Sequence, residues 1–328
     1  MGVTAAVLAV DAGNSKTDVA VIGADGQVLG TARGGGFQPP VVGVRAALDA
    51  LARTVAAAAA AAGLTGPPYA THVAACLANA DLPVEERQLE TAVHERGWGA
   101  AARVHNDTFA ILRAGLPAGA EPRGVAVVCG AGINCVGMLP DGRTARFPAL
   151  GKISGDWGGG SGLAEEALWS AARAEDGRGE PTELARTLPA HFGLDSMYAL
   201  IEALHLEHVP YERRHELTPV LFATAAAGDP VAGALVDRLG DEVVALASVA
   251  LGRLGLLDEE APVLLGGSVL AARHPRLVAR IDEGLHARAP KATVEVVGEP
   301  PVLGAALLGL DAVGAPADAY ARLRGQYA

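Results

Sequence analysis

Lysine is nearly missing from this chain: of 26 basic residues, only Lys16, Lys152 and Lys291 are lysine. That bias, with the alanine excess, points to a GC-rich genome and says little about chemistry. No basic stripe offsets a net charge of −11, which excludes the usual kind of nucleic-acid binder. A phosphate ligand stays open, because backbone amides and Mg2+ hold phosphate without a basic surface. Cysteine is scarce too. Cys76, Cys129 and Cys135 in 328 residues make no disulfide framework, and a reducing cytoplasm is the expected location.

Long apolar runs are absent. Gly2–Val10 ends at Asp11 and has no basic region, so it reads as a buried strand rather than a signal peptide. Ala6 occupies the position where a myristoylation motif needs a hydroxyl residue. Val55–Ala62 is alanine-rich and too short to cross a membrane. A GxxxxGK[ST] loop and a Ser/His/Asp elbow are missing. His205 and His208 lack partners at metal-ligand spacing. What is present is apolar material: 50% hydrophobic against 19% charged residues rules out a disordered chain. The length suits two domains of roughly 150 residues, and 42 glycines with 20 prolines imply many tight turns.

The first thirty residues predict strand, turn, strand, hairpin, strand. Ala6–Val10 is apolar, Asp11-Ala12-Gly13-Asn14-Ser15-Lys16 is a turn of small residues, Thr17–Ile22 alternates, and Asp25-Gly26 is a hairpin signal. A helix is expected over Val41–Ala62, a strand over Thr71–Leu77, a helix over Glu85–Arg96, a short strand at Arg103–His105 and a helix from Asp107 to Ala114. The opening pattern then returns. Gly124–Val128, the turn Cys129–Asn134, the strand Cys135–Leu139, the hairpin Asp141-Gly142 and the strand Arg143–Phe147 repeat it. Two copies in one chain imply a duplicated α/β domain. The Pro-rich Gly115–Pro122 marks a boundary. Gly162–Leu256 is mostly helical, Pro262–Leu265 and Thr293–Val297 are strands, and Val302–Leu310 is a last helix.

Several segments suit chemistry, each beside a plainer alternative. In Asp11–Thr17, turn amides can cradle phosphate, Ser15 and Thr17 can donate to it, and Asp11 can hold Mg2+ through water; the alternative is an ordinary hairpin. Gly130–Asn134 is a second such turn, and the two together could grip one triphosphate from both sides. Gly266-Gly267-Ser268 follows a strand and opens a helix, a place for a nucleotide. Asp107 follows Asn106 at a strand end, where it is either a helix N-cap or a general base. Gly155-Asp156-Trp157-Gly158-Gly159-Gly160-Ser161 is either a ligand-hugging backbone or a flexible loop. Cys129 and Cys135 read as small buried residues.

In this order, the residues resemble the acetate and sugar kinase/heat-shock/actin superfamily. The resemblance covers roughly Val7 to Leu310 and rests on a first phosphate motif (Asp11–Thr17), a second (Gly130–Asn134) and an adenosine motif (Val263–Ser268). Within it the chain resembles the BadF/BadG/BcrA/BcrD ATPases, particularly the N-acetylglucosamine kinase branch, through Asn106-Asp107, Gly130–Cys135, Gly155-Asp156 and the Gly228-Asp229-Pro230 turn. The resemblance implies an α/β fold of two actin-like, ribonuclease H-like domains with a nucleotide cleft between them. The first domain is expected over 1–117 and a larger one with a helical insertion over 118–302, with a final helix at about 303–325 returning to the first.

It further implies an ATP- and Mg2+-dependent kinase of the 6-hydroxyl of N-acetylglucosamine or a close relative. Asp107 would be the base. Gln38, Asn106, Gly132, Asn134 and Asp156 would meet the sugar. Gly13, Asn14, Ser15, Lys16, Thr17, Gly130, Ala131, Gly266 and Gly267 would hold ATP, with Asp11 near Mg2+. The expected partners are a sugar and a second copy of the chain, with neither nucleic acid nor membrane. Ala131 replaces the family's threonine, Trp157 and Gly159 its glutamate and serine, and Gln38 its asparagine, while Ala78-Asn79-Ala80-Asp81 departs from the usual small-residue sugar loop. Glucosamine and N-acetylmuramic acid are alternative substrates. The rival readings are an ATPase activator of an iron–sulfur dehydratase, which needs surface cysteines, and a non-enzymatic nucleotide binder, against which the intact Asn106-Asp107 argues. The zinc cluster of the ROK sugar kinases is not visible.

Overall fold

The computed structural model describes residues 5–117 and 119–328. The first residues of the expected N-terminal strand, the Met1-Gly2 pair and position 118 of the expected boundary lie outside the described residues. Two compact units emerge. One comprises Met1–Ala126, Val136–Pro148 and Val297–Ala328, the other Val127–Cys135 and Ala149–Val296.

The first unit opens with β1 (Ala5–Ala12), β2 (Lys16–Ile22) and β3 (Val28–Gly35). Next come α1 (Pro39–Val42), α2 (Val44–Ala61), β4 (Ala70–Leu77), α3 (Pro83–His94), β5 (Gly99–Asn106) and α4 (Thr108–Gly115). Its sheet has the order β3-β2-β1-β4-β5. β1 pairs antiparallel with β2 and parallel with β4, and β4 is parallel to β5. All eight residues of β1 are buried, as both covered faces of a central strand require. Leu8, Val10 and Ala12 join the core under α2, while Val7 and Ala9 join the core on the other face.

The expected helix over Val41–Ala62 is broken: Gly43, at φ 82°, separates α1 from α2. α2 then buries Ala47, Leu48, Leu51, Val55, Ala58 and Ala59, an amphipathic helical spacing. The expected short strand at Arg103–His105 extends back to Gly99, because pairing with β4 overrides the weak strand propensity of its alanines.

The chain continues through β6 (Gly124–Cys129), β7 (Ile133–Met138) and β8 (Thr144–Arg146), then α5 (Gly159–Glu175), α6 (Leu184–His191), α7 (Met197–His205), α8 (Leu217–Ala226) and α9 (Pro230–Leu254). It closes with β9 (Ala261–Gly266), α10 (Ser268–Ala271), α11 (Pro275–Arg288), β10 (Ala292–Val296), α12 (Pro301–Val313) and α13 (Ala317–Gly325). The second sheet has the order β10-β9-β6-β7-β8. Read from β8, it repeats the connectivity of the first sheet strand for strand. The hairpins repeat as well: Gly26 at φ 81° and Gly142 at φ 88° supply the positive backbone angle each turn needs. The fold is thus α/β with two mixed five-stranded sheets and a duplicated motif.

Two details anchor the helices. Asp229 caps α9 by accepting from Ala232 N at 2.8 Å, and it also takes the Thr182 hydroxyl and the Glu183 amide. α12 belongs to the first unit. Leu303, Ala306, Leu307 and Leu310 join the core face of Val7 and Ala9, and Arg113 of α4 grips Asp311 of α12 with two bonds, at 2.8 and 3.1 Å.

Candidate functional site

In the first unit, three parallel strands deliver carboxyl groups to their C-terminal ends, where ligands of open α/β sheets bind. Asp11 is the penultimate residue of β1, Asp81 lies four residues past β4, and Asp107 directly follows β5. Asp11 is 6% exposed. Burial, and then the negative charges of Asp107 and Asp18, push its carboxyl up to about 7. Asp107 keeps an edge toward solvent, yet its dense surroundings raise it to about 6. Asp81 is raised to about 7 by burial and then by Asp107.

Asp107 occupies the N-cap position of α4, but its side chain makes no cap hydrogen bond. Beside it, Asn106 Oδ1 accepts from Thr108 N at 3.0 Å, and Asn106 Nδ2 donates to Asp81 Oδ1 at 2.8 Å. The Asp107 carboxyl also meets the Thr108 amide, a bond that lowers its proton affinity against the larger effect of burial.

The turn after β1 is braced from several sides. Gly13 N donates to Lys16 O, and Phe37 N donates to Gly13 O, each at 2.9 Å. Gln38 Nε2 donates to Asn14 O at 2.9 Å, and Asn79 Nδ2 donates to Asn14 Oδ1 at 3.0 Å and Phe37 O at 3.2 Å. A Cβ on Gly36 would stand 2.0 Å from Asn14 O, so only glycine permits this approach. Asn14, Ser15 and Lys16 are exposed. Thr17 is instead buried within β2, which leaves Ser15 as the hydroxyl facing solvent. The Lys16 ammonium lies 3.6 Å from Asp18, whereas no ion pair is described for Asp11.

In the second unit, three glycine segments converge on the end of β6. Gly130 N donates to Gly132 O at 2.9 Å, and the entry of α5 closes over this turn: Gly160 N donates to Gly130 O at 2.7 Å and Ser161 N to Ala131 O at 3.0 Å. Gly159, at φ 72°, sits where a Cβ would meet Ala131 O and Gly132 Cα, both at 2.5 Å. A Cβ on Gly267 would stand 2.4 Å from Cys129 O. Gly266 ends β9, and the helix after Gly267 is only four residues long. A helix that short carries little dipole, so the feature at Gly267 is the close backbone approach.

Asn134 is half-buried, with Oδ1 accepting from Cys135 N at 2.7 Å. Asp156 Oδ2 accepts from Gly151 N at 3.0 Å and from the Ser154 hydroxyl, so its described bonds stay within its own loop. Trp157 is buried, donates to Glu166 at 3.3 Å and stacks under the Arg238 guanidinium at 4.0 Å. That packing accounts for its place in the chain without a ligand.

Asp81 and Asn79, which the sequence marks only as a departure from the family's sugar loop, were not among the expected site residues. Their signal was their place just after a parallel strand adjacent to the one bearing Asp107. All three cysteines are buried and free. Among the described residues no group of three or more His, Cys, Asp or Glu has the geometry of a metal cage, and no single helix is long and apolar enough to cross a membrane.

Comparison with known proteins fits this arrangement. The BadF/BadG/BcrA/BcrD ATPase family matches residues 8–309. N-acetyl-D-glucosamine kinase of Dictyostelium discoideum is 26% identical over 211 residues, which is 63% of this chain and 65% of that protein. The N-acetylmuramic acid/N-acetylglucosamine kinase of Clostridium acetobutylicum is 25% identical over 59% of this chain and 62% of its own length. The match thus spans less than two thirds of each of these relatives. Among solved structures, a candidate N-acetylglucosamine kinase of Chromobacterium violaceum superposes with TM-score 0.70 at 24% identity, covering 94% of this chain and 99% of that one. A ROK family glucokinase of Streptomyces griseus, in complex with glucose and AMPPNP, superposes with TM-score 0.55 at 17% identity, over 92% and 98% of the two chains. At these identities the superpositions speak for the fold.

Proposed function

Because the chain belongs to the BadF/BadG/BcrA/BcrD ATPase family, we propose that it transfers the γ-phosphoryl group of Mg·ATP to the 6-hydroxyl of N-acetylglucosamine or a closely related amino sugar. One observation carries this reading. Asp107 stands at the C-terminal end of β5 and the start of α4, and burial raises its proton affinity toward neutrality, to about 6. A carboxylate so placed accepts the proton of an attacking hydroxyl, and a base matched to the working pH contributes about 10²–10⁴-fold.

Phosphoryl transfer asks a protein mainly for positioning and charge compensation. The exposed Asn14-Ser15 segment with its Ser15 hydroxyl suits phosphate oxygens, as do the amides of Ala131 and Gly132. To Gly132, Asn134 and Asp156 the reading assigns sugar hydroxyls, and to Gly266 and Gly267 the nucleoside. The donor set fits a hard dication. Asp11 is a buried carboxylate with no described ion pair, repelled by Asp107 and Asp18, and a cation relieves that repulsion. Bound Mg2+ would supply charge neutralisation for the phosphates. The buried cysteines count against the dehydratase-activator reading, since bridging an iron–sulfur cluster between subunits needs accessible thiolates.

The test is ADP release measured across N-acetylglucosamine, N-acetylmuramic acid, glucosamine and glucose at equal concentration, with product position read by NMR. The expected result is fastest turnover with N-acetylglucosamine at the 6-hydroxyl. If no amino sugar outruns glucose, the amino-sugar assignment is wrong.

A further inference from the structure

We infer that Asn79 is a positioning residue: it takes up the side-chain oxygen of Asn14 and leaves the Asn14 NH2 group as a donor to the phosphates of the nucleotide. The inference rests on the reading of the Gly13–Lys16 turn as a phosphate site. The argument starts from one carbonyl. Phe37 O can only accept, so the end of the Asn79 amide that meets it at 3.2 Å is Nδ2. The same Nδ2 donates to Asn14 at 3.0 Å, and a donor there requires Asn14 to present its Oδ1. The backbone oxygen of Asn14 is engaged as well, since Gln38 Nε2 donates to it at 2.9 Å. Both acceptors of Asn14 are therefore held from within the first unit. What remains is Nδ2, which has no described partner and belongs to an exposed residue. A group left with donors alone suits an anion, and a bond to an ionised acceptor is stronger than one to a neutral group.

The backbone around Asn79 serves the same end. Asn79 lies two residues past β4 at φ 63°, a left-handed angle that asparagine tolerates better than most residues. Ala78 N donates to Ala12 O at 2.8 Å, which ties the exit of β4 to the exit of β1. The Asn79 side chain thus starts from a fixed point beside the turn. From there it joins the turn to the segment that carries Phe37 and Gln38.

The first test follows side-chain NH2 resonances by NMR in the wild type as Mg·ADP is added. The Asn79 pair should be protected from exchange before nucleotide arrives and should stay in place. The Asn14 pair should exchange freely at first and shift on saturation. Calorimetry then gives the Kd for Mg·ADP in variants. Asn14→Ala removes the donors and should weaken binding about tenfold. Asn79→Gly keeps the left-handed backbone, lets the Asn14 amide rotate and should weaken binding about threefold. The double variant should match Asn14→Ala within about twofold, because Asn79 acts through Asn14. Asn79→Asp offers only acceptors, so the Asn14 amide should turn its oxygen outward and binding should weaken about tenfold. Adding Asn14→Ala to Asn79→Asp should then tighten binding, a reversal of sign that a merely structural brace would not give. The proposal is overturned if the Asn79 pair is unprotected, if the Asn14 pair does not move in a wild type that binds Mg·ADP, or if Asn14→Ala and Asn79→Gly combine as the product of their separate losses. A wild type that binds no Mg·ADP overturns the phosphate reading of the turn, and the role of Asn14 with it.

Discussion

A methyl group on Gly159 would stand 2.5 Å from the Cα of Gly132. The entry of α5 is therefore pressed onto the second glycine turn, and Gly159 is further held at φ 72°, a backbone angle that costs a residue with a side chain about 1 kcal/mol. Gly159→Ala is expected to push the turn out of place and raise the KM for ATP about tenfold, a loss of about 1.4 kcal/mol of binding. Gly162→Ala, in the same helix with no atom within 4 Å of the new methyl group, serves as control and should leave ATP binding unchanged. Equal ATP affinity in the two variants would separate this clasp from the nucleotide.

Asp107→Asn should lower sugar phosphorylation by about 10² or more. Asparagine keeps the volume and still occupies the helix start, so Mg·ATP affinity should be retained. Turnover near wild type, with ATP binding measured calorimetrically on the same preparation, would return Asp107 to a structural role.

Much of this was legible along the chain because it is local. The strand–turn–strand–hairpin pattern depends on apolar runs and on Asp-Gly pairs, and both copies form, with Gly26 and Gly142 at the predicted hairpins. The break at Gly43 was not legible, since an isolated glycine inside a helical pattern is usually tolerated. Long-range contacts were also hidden. Nothing in the spacing of Gly159 and Gly267 says that both press on Cys129–Gly132. Asp81 reads as a departure from a family loop until parallel pairing brings β4 beside β5, with Leu77 opposite Asn106.

The pH dependence follows from Asp11. Its carboxyl titrates near 3.8 when free and near 7 in the fold, so between those values the folded state binds more protons than the unfolded one. Stability without metal must then fall as pH rises from about 4 to about 7, on the order of a few kcal/mol. Melting temperatures should drop between pH 5 and pH 8, and Asp11→Asn should flatten the slope. Added Mg2+ should restore stability at pH 8 in the wild type and not in the variant. A wild-type melting temperature that rises over this range contradicts the assignment.

α12 and α4 meet at a glycine. A Cβ on Gly304 would stand 1.8 Å from the carbonyl oxygen of Ala110, a backbone atom that cannot swing aside. Gly304→Ala should therefore destabilise the first unit by about 1–3 kcal/mol, as overpacking does, despite the better helix propensity of alanine. Urea midpoints decide the sign: an unchanged or raised midpoint would mean the two helices separate freely.

Gln38 has two possible duties, and one variant separates them. Its Nε2 braces the Gly13–Lys16 turn by donating to Asn14 O at 2.9 Å, while the proposed function assigns its exposed side chain to the sugar. Bracing affects every sugar alike, because the proposal gives the turn to the nucleotide. Reading an acetamido group affects only sugars that carry one, since a site built to pair with a polar group discriminates against analogues lacking it. If Gln38 reads the sugar, Gln38→Ala should raise the KM for N-acetylglucosamine about tenfold while the KM values for glucose and ATP move less than about twofold. Initial rates over a concentration series of each sugar settle it. A parallel loss for both sugars with a raised ATP KM assigns Gln38 to the turn alone, and the acetamido group must then be read by another residue.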